Sequence, residues 1–511
     1  MEKIKEKLAA IFRSRGMTST ATTALLIGIL IALNVIVYAL TVGFGLYIVP
    51  RTEAYDFSLS EHVDELFASA REKGERVKVM FCRPEDEMPT SLTDATDEVG
   101  IFYLTAVEFL EKYPDFIEFE YVNILTRRDS KGNVVDLAKY QIIDAEGNPY
   151  PMYETSVVFI SGDRHKTIVD ISSTAFAYDE TQSTTYYTSY CGQEIFASMV
   201  NWVLSDEHKT VYFTTYHSEK IDSAFVNMMS CAGYNVESIN LRKEPVPDDA
   251  ALVVISNPQT DFQRADEGSS IRSEIERLRT YVEAGGNLYV ALDPYVSRLP
   301  VFESFLKEYG IAYSETVADG SVYRNIVRDS NNSIGVDNFT IVASYSDNAL
   351  SQSIKQNVEK YNDSSVIVKY CSALELSGIA KPLLLSSGSS SVYAGKDEVG
   401  SSGNYCIGAV ASTESNDGKV GNIFVMPSIS LTSNNTLLTD GYANRDFVYS
   451  LLEKTYGAEN LPYGCSIFYL DTGTLQNLTN RAARIYTVAL LAIPVAIAVC
   501  GAVVVTRRKN R

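Results

Sequence analysis

Cysteine and histidine are scarce in this chain, and what there is of them is dispersed. The seven cysteines (Cys82, Cys191, Cys231, Cys371, Cys406, Cys465, Cys500) form no CxxC pair. Dithiol redox chemistry therefore lacks a resolving partner, and the irregular spacing fits buried free thiols better than a disulfide framework. Four histidines (His62, His165, His208, His217) form no HExxH motif or Cys/His cluster, so no metal site is expected. No GxGxxG or GxxxxGKS run follows a strand, so no built-in nucleotide site or other cofactor is expected. If ATP drives the work of this protein, another subunit binds it.

Charge is missing altogether from two stretches. Residues 16–50 and 485–506 contain no Asp, Glu, Lys or Arg, and Ala24 to Val49 is mostly Leu, Ile, Val, Ala and Gly. A spanning helix needs roughly 20 apolar residues, and both stretches supply them. The first is too long for the core of a cleaved signal peptide, and it reads as a retained anchor. Lys3, Lys5, Lys7, Arg13 and Arg15 precede it, and Arg507, Arg508, Lys509 and Arg511 follow the second. The positive-inside bias then predicts a two-pass protein of the cell membrane with both termini cytoplasmic and the intervening ectodomain outside. Arg481 and Arg484, on the outer side of the second span, lean mildly the other way. Asn34 in the first span, and Pro494 and Gly501 in the second, are the candidate contacts with other membrane helices.

The chain carries a formal net charge of -20; the first fifteen residues contribute +3 and the tail +4, leaving about -27 on the outer part. Such a surface repels nucleic acid and suits solubility outside the cell.

Between the spans the pattern predicts two α/β domains. Residues 1–22 are a basic tail and 23–49 the first span. Residues 56–205 read strand, helix, strand, helix, hairpin, helix, the order of a thioredoxin-like fold. A helix follows Ser58 or Ser60, strands run at Arg76–Phe81 and Ile117–Val122, a helix is expected around Val134–Tyr140, and a hairpin spans Ser156–Val169. Residues 206–460 read as a parallel-sheet domain of Rossmann, flavodoxin or glutamine-amidotransferase type. It carries a strand-rich insertion at about 315–400, and the sheet resumes at Pro382–Leu385, Tyr405–Val410 and Gly421–Pro427. Residues 461–484 form a linker, 485–506 the second span and 507–511 the basic tail.

The second domain opens on Val211-Tyr212-Phe213-Thr214, then Tyr216-His217-Ser218-Glu219, then helical spacing at Ile221, Phe225, Met228 and Met229. Ligands of open α/β sheets sit beyond the carboxyl ends of the strands, which places Tyr216, His217, Ser218 and Glu219 at that edge. Asn257-Pro258 and Asp293-Pro294 each follow a strand and point to the same edge, so Asn257 and Asp293 join the candidate ligand- or partner-binding residues. Ser218 is the expected cap of the following helix. A hydrolase would need Cys191 or Ser218 as nucleophile with His217 and Glu219 in support, but neither sits in a GxSxG elbow, and no catalytic residue is assigned.

The order of segments resembles the GldG-like family of membrane proteins associated with ABC-type transport systems. The likeness is carried by "YDFSLSEHVDELF" after the first span, "GQEIFASMVNWVLSDEHKTVYFTTYHSEK" into the second domain, "LVVISNPQTDF", "IERLRTYVEAGGNLYVALDP", "KPLLLSS" and "YANRDFVYSLLEKTYG". The family usually has Gly-His-Gly-Glu after its strand; here Tyr216 and Ser218 stand where it has glycine. The resemblance implies a non-catalytic auxiliary subunit acting with a separate ATPase and a multispanning permease, in some bacteria linked to gliding motility. The alternative is a membrane-anchored extracytoplasmic hydrolase using the His217/Glu219 loop.

Overall fold

The computed structural model describes residues 57–469, apart from 73, 93–96, 144–146, 179–186, 264–272, 319, 336, 440 and 466, together with 479, 481, 484–486 and 488. Residues 52–474 with 479–481 form one compact unit; 1–51, 475–478 and 482–511 form another. In the latter, 484–486 and 488 are helical. The basic tails and the two expected spans, with Asn34, Pro494 and Gly501, lie outside the described residues save for 485, 486 and 488. Among the described residues no helix is long and apolar enough to cross a membrane.

The large unit is a mixed α/β structure with several sheets. Its first part runs α1 (His62–Glu72), β1 (Val77–Phe81), α2 (Glu98–Lys112), β2 (Ile117–Asn123), β3 (Arg128–Asp129), β4 (Val157–Ser161), β5 (Arg164–Ile168) and α3 (Gly192–Leu204). The five strands lie in the order β3-β2-β1-β4-β5; β1 and β2 are parallel, while β4 is antiparallel to β1 and to β5. Period-2 alternation decides which face each residue covers. Val77, Val79 and Phe81 join the main core with Phe102, Phe109 and Phe196 of the helices, whereas Met80 turns to the opposite face with Val122 and Val158.

The helix expected around Val134–Tyr140 is instead a single 3-10 turn, Leu137–Tyr140. Asp136 accepts a hydrogen bond from the Ala138 amide and so caps the chain at that point, leaving Val134 upstream and exposed.

Helix α3 is buried along almost its whole length. It lies against β4 and β5 on one side and meets α4 (Ser223–Cys231) on the other. Its first residue must be glycine, because a Cβ at Gly192 would stand 1.9 Å from the Tyr190 hydroxyl oxygen. Through α3 the two predicted halves share a single hydrophobic core, in which Phe67 and Phe196 belong with Phe225 and Tyr289.

The second part continues β6 (Thr210–Thr214), α4, β7 (Asn235–Ile239), β8 (Ala250–Ser256), α5 (Glu274–Glu283), β9 (Leu288–Ala291), α6 (Pro300–Glu308), β10 (Ile311–Tyr313), α7 (Ala349–Tyr361), β11 (Leu374–Leu376), β12 (Ala380–Leu385), β13 (Cys406–Glu414), β14 (Val420–Met426) and α8 (Asn444–Tyr456). The main path of its ten-stranded sheet is β10-β11-β13-β14-β9-β8-β6-β7, with β12 beside β13. From β14 to β7 neighbouring strands are parallel, with Phe213, Val254 and Tyr289 in one row. Of these, β8, β9 and β14 are apolar runs because both faces are covered, while the edge strand β7 exposes Glu237 and Ser238.

Of the three stretches expected to resume the sheet, only β14 joins it in parallel. β13 runs antiparallel to both β12 and β14, and the short connection 415–419 between β13 and β14 requires the second of these pairings. The insertion contains strands but also helix α7, capped by Asn348 and packed on α8 through Ile354 and Val358. Gly285, at φ +90°, closes α5 in the left-handed conformation that glycine adopts freely.

Candidate functional site

Strand β6 is followed in sequence by β7 on one side and then by β8 on the other, so the chain changes direction between β6 and β8. The loop Thr215–Asp222 leaves the carboxyl end of β6 at that point, where an open α/β sheet leaves a crevice. The backbone there is unusual. Tyr216 has φ +94° and Ser218 φ +55°, the left-handed region that favours glycine. Both positions thus take a glycine-type conformation although they carry side chains. Ser218 does not cap α4; Asp222 occupies that position.

This alternation turns His217 inward and Tyr216 and Ser218 outward. His217 is 1% exposed and Tyr216 58%. The imidazole stacks on Phe262, centroids 4.1 Å apart and planes 18° apart, and Phe262 stacks in turn on Phe302. His217 Nε2 lies 2.8 Å from Oε1 of the buried Glu274, the first residue of α5, and Nδ1 lies 3.4 Å from Thr260 Oγ1. The other Glu274 oxygen accepts the Gln263 amide at 2.8 Å, and Arg242 Nε is 3.6 Å from the first. Burial pushes the Glu274 carboxyl up, but the hydrogen bonds from His217 and Gln263 and the nearby charges outweigh it, so the group titrates below its ordinary value.

Main-chain bonds complete the clasp. The His217 amide donates to Glu219 Oε2 at 2.8 Å, and the Gln259 amide donates to the His217 carbonyl at 2.7 Å. At the end of β8, Asn257 also has positive φ, at +51°. Its amide donates to Ala291 O at 2.7 Å, and its side-chain oxygen accepts the Asp293 amide at 3.1 Å. Asp293 in turn accepts the Tyr295 amide at 2.9 Å. Outside this stitching, Arg242 lies over the Tyr216 ring at 4.1 Å, and Tyr295, 66% exposed, stands 6.3 Å from Tyr370.

The six candidates therefore lie along one edge, at the ends of β6, β8 and β9, but in two classes. His217 and Asn257 are buried and committed to neighbouring loops, with the half-buried Glu219 and Asp293 accepting backbone amides beside them, while Tyr216 and Ser218 face outward. Sequence reasoning missed Glu274, Phe262, Thr260 and Arg242. The signal for Glu274 was its position on the apolar stripe of α5 with Leu278 and Val282, at i, i+4 and i+8. An acid on such a stripe calls for a partner.

The same arrangement bears on hydrolysis. Both ring nitrogens of His217 are engaged away from Ser218, by Glu274 and Thr260, and the ring is enclosed. Thr260, His217 and Glu274 stand in nucleophile-base-acid order, with the imidazole enclosed between Glu274, Thr260 and Phe262. Cys191, before α3, is buried, and burial pushes its thiol up to about 11, away from the thiolate a nucleophile needs. The six described cysteines carry free thiols. Among the described residues no group of His, Cys, Asp and Glu could hold a metal ion.

A second polar centre joins the first and last parts of the compact unit. Glu194, near the start of α3, is in ion-pair contact with Arg445 and accepts a hydrogen bond from the Tyr449 hydroxyl, both on α8. All three are buried. Burial pushes the Glu194 carboxyl above its ordinary value, against the pull of Arg445 and Tyr449. The segments GQEIF and NRDFVYSLL, distant in sequence, meet here.

No protein-family model and no curated protein matches the chain. Solved structures similar to it include an mmIFT52 N-terminal domain, at 16% identity over 48% of this chain and 96% of that one, TM-score 0.35. A ThuA-like protein from Bacteroides uniformis is 14% identical over 48% of this chain and 91% of that one, TM-score 0.28. PurLQS from Thermotoga maritima is 11% identical over 48% of this chain and 99% of that one, TM-score 0.27.

Proposed function

We propose that the chain is a non-catalytic auxiliary subunit of an ABC-type transport or surface-assembly complex, acting through an extracytoplasmic α/β unit that binds a partner or cargo. A separate ATPase and a multispanning permease supply energy and path. The GldG-like order of segments suggests this role, with the two charge-free stretches as membrane anchors. In this reading the first part is thioredoxin-like, supported by the order β2-β1-β4-β5, and the second is flavodoxin-like, supported by the parallel order β7-β6-β8-β9-β14.

The observation that carries the non-catalytic reading is the division of labour in the His217 loop. Its imidazole is spent on holding the loop to α5, and what it presents outward is the ring of Tyr216 and the Ser218 hydroxyl. Such a loop suits contact better than proton transfer. Substituting His217 and Glu219 tests it: a subunit of this kind loses stability or assembly when the clasp is broken. A hydrolase would in addition lose a measurable hydrolytic activity, in variants that still fold and assemble.

A further inference from the structure

The first sheet is covered unequally. One face is packed under α2 and α3, but the other, with Met80, Val122 and Val158, is covered by Ile124, Val135, Leu137, Tyr140 and Met152 from the excursion between β2 and β4, in which the described regular elements are the two-residue β3 and the single turn Leu137–Tyr140. That thin cover buries its own small core and leaves apolar side chains outside. Leu125 is 84% exposed, and Val134, Ile142, Ile143, Tyr150 and Tyr153 are exposed with it. A concentration of this kind marks an interaction surface.

The patch contains a shaped groove. Ile124, Leu125, Met152 and Tyr153 form apolar walls of a depression of about 670 Å³, and its charged lining residues are Glu154 and Asp170. Both are acids, on a chain of net charge -20. Arg127 and Arg128 lie beyond Leu125 and do not line it. Charge complementarity selects the occupant: an apolar side chain fills the groove, with a lysine or arginine beside it to meet the two carboxylates. The two carboxylates lining it disfavour an anionic membrane surface.

We propose that this groove is a docking site for an amphipathic basic segment of a partner protein. The inference rests on the auxiliary-subunit reading only for what that partner belongs to. The groove itself follows from its walls and its charge.

The test uses the full-length chain in lipid nanodiscs and two helical peptides, one of leucine and lysine, one of leucine and glutamate. The leucine-lysine peptide is expected to bind the unaltered chain, with affinity falling about tenfold in Leu125→Asp and in Tyr153→Asp. Tyr153→Phe should retain binding, and thermal midpoints identify any variant that has failed to fold. Glu154→Lys should weaken the lysine peptide and admit the glutamate one, while Glu111→Lys, on the exposed side of α2, leaves both unchanged. Equal effects of Glu154→Lys and Glu111→Lys would overturn the proposal, as would indifference to Leu125→Asp. So would slowed amide exchange over 124–153 on phosphatidylglycerol vesicles, which would assign the patch to lipid, or loss of a dimer in Leu125→Asp, which would assign it to a second copy. Groove variants that fail to bind peptide yet co-purify with ATPase and permease would leave the auxiliary role standing with another docking surface.

Discussion

His217 and Glu274 face each other at 2.8 Å inside a site almost closed to solvent, one residue from the loop after β6 and the other from the first position of α5. The pair holds the strained loop against the helix that follows β8. Removing either partner leaves the other buried without its bond. His217→Ala and Glu274→Ala are each expected to cost about 3 kcal/mol. Urea unfolding measures this, and a change below about 0.5 kcal/mol would show that the clasp contributes little.

Acid should weaken the same clasp. Glu274 titrates below its ordinary value of 4.5 in the folded chain, so its carboxylate contributes stability that is present above that value and is lost as pH falls through the lower, folded one. Glu194 has the opposite sign: burial raises its folded value, so protonation on acidification favours the folded state. Urea midpoints between pH 7 and 3.5 should therefore fall less steeply in Glu274→Gln than in the unaltered chain, and more steeply in Glu194→Gln.

Glu194 and Arg445 make a second test. A buried ion pair is costly to break and cheap to replace. Arg445→Leu alone should destabilise by about 3–5 kcal/mol, whereas combining it with Glu194→Met should recover most of that loss. The double-mutant cycle measures the coupling directly.

Backbone strain in the loop can be relieved. Tyr216 at φ +94° and Ser218 at φ +55° both occupy glycine territory. Ser218→Gly should stabilise by about 1 kcal/mol. Tyr216→Gly gains the same relief but loses the stacked Arg242, so its net effect should be smaller, and Tyr216→Ala should be the worst of the three.

The thiols should be inert in the folded chain. Burial pushes Cys82 and Cys406 up to about 12 and Cys191 up to about 11. Iodoacetamide at pH 8 should modify these three slowly until denaturant is added, as peptide mapping would show.

Local chemistry made much of this architecture legible. The strands announce themselves by alternation in Val77–Phe81 and by apolar runs in Leu252–Ile255, and α8 could be read to its ends from Asn444 to Tyr456. Helix α7 was missed because its apolar stripe is thin: Ile354 and Val358 carry it among Ser, Gln and Asn. The reversed direction of β13 was missed because apolar runs do not state which way a strand lies. At the site, the loop could be placed from β6, but the inward turn of His217 depends on two positive φ angles at non-glycine residues, which periodicity does not reveal, and on an acid 57 residues away, whose place on the stripe of α5 calls for a partner without saying which.

The central claim, an auxiliary subunit among transport components, is tested most directly by purifying the full-length chain from its native membrane in mild detergent and identifying what accompanies it by mass spectrometry. The account predicts an ABC-type ATPase together with a multispanning permease, both lost when residues 23–49 and 485–506 are replaced by unrelated apolar segments. Recovery of the chain alone across several detergents would contradict it.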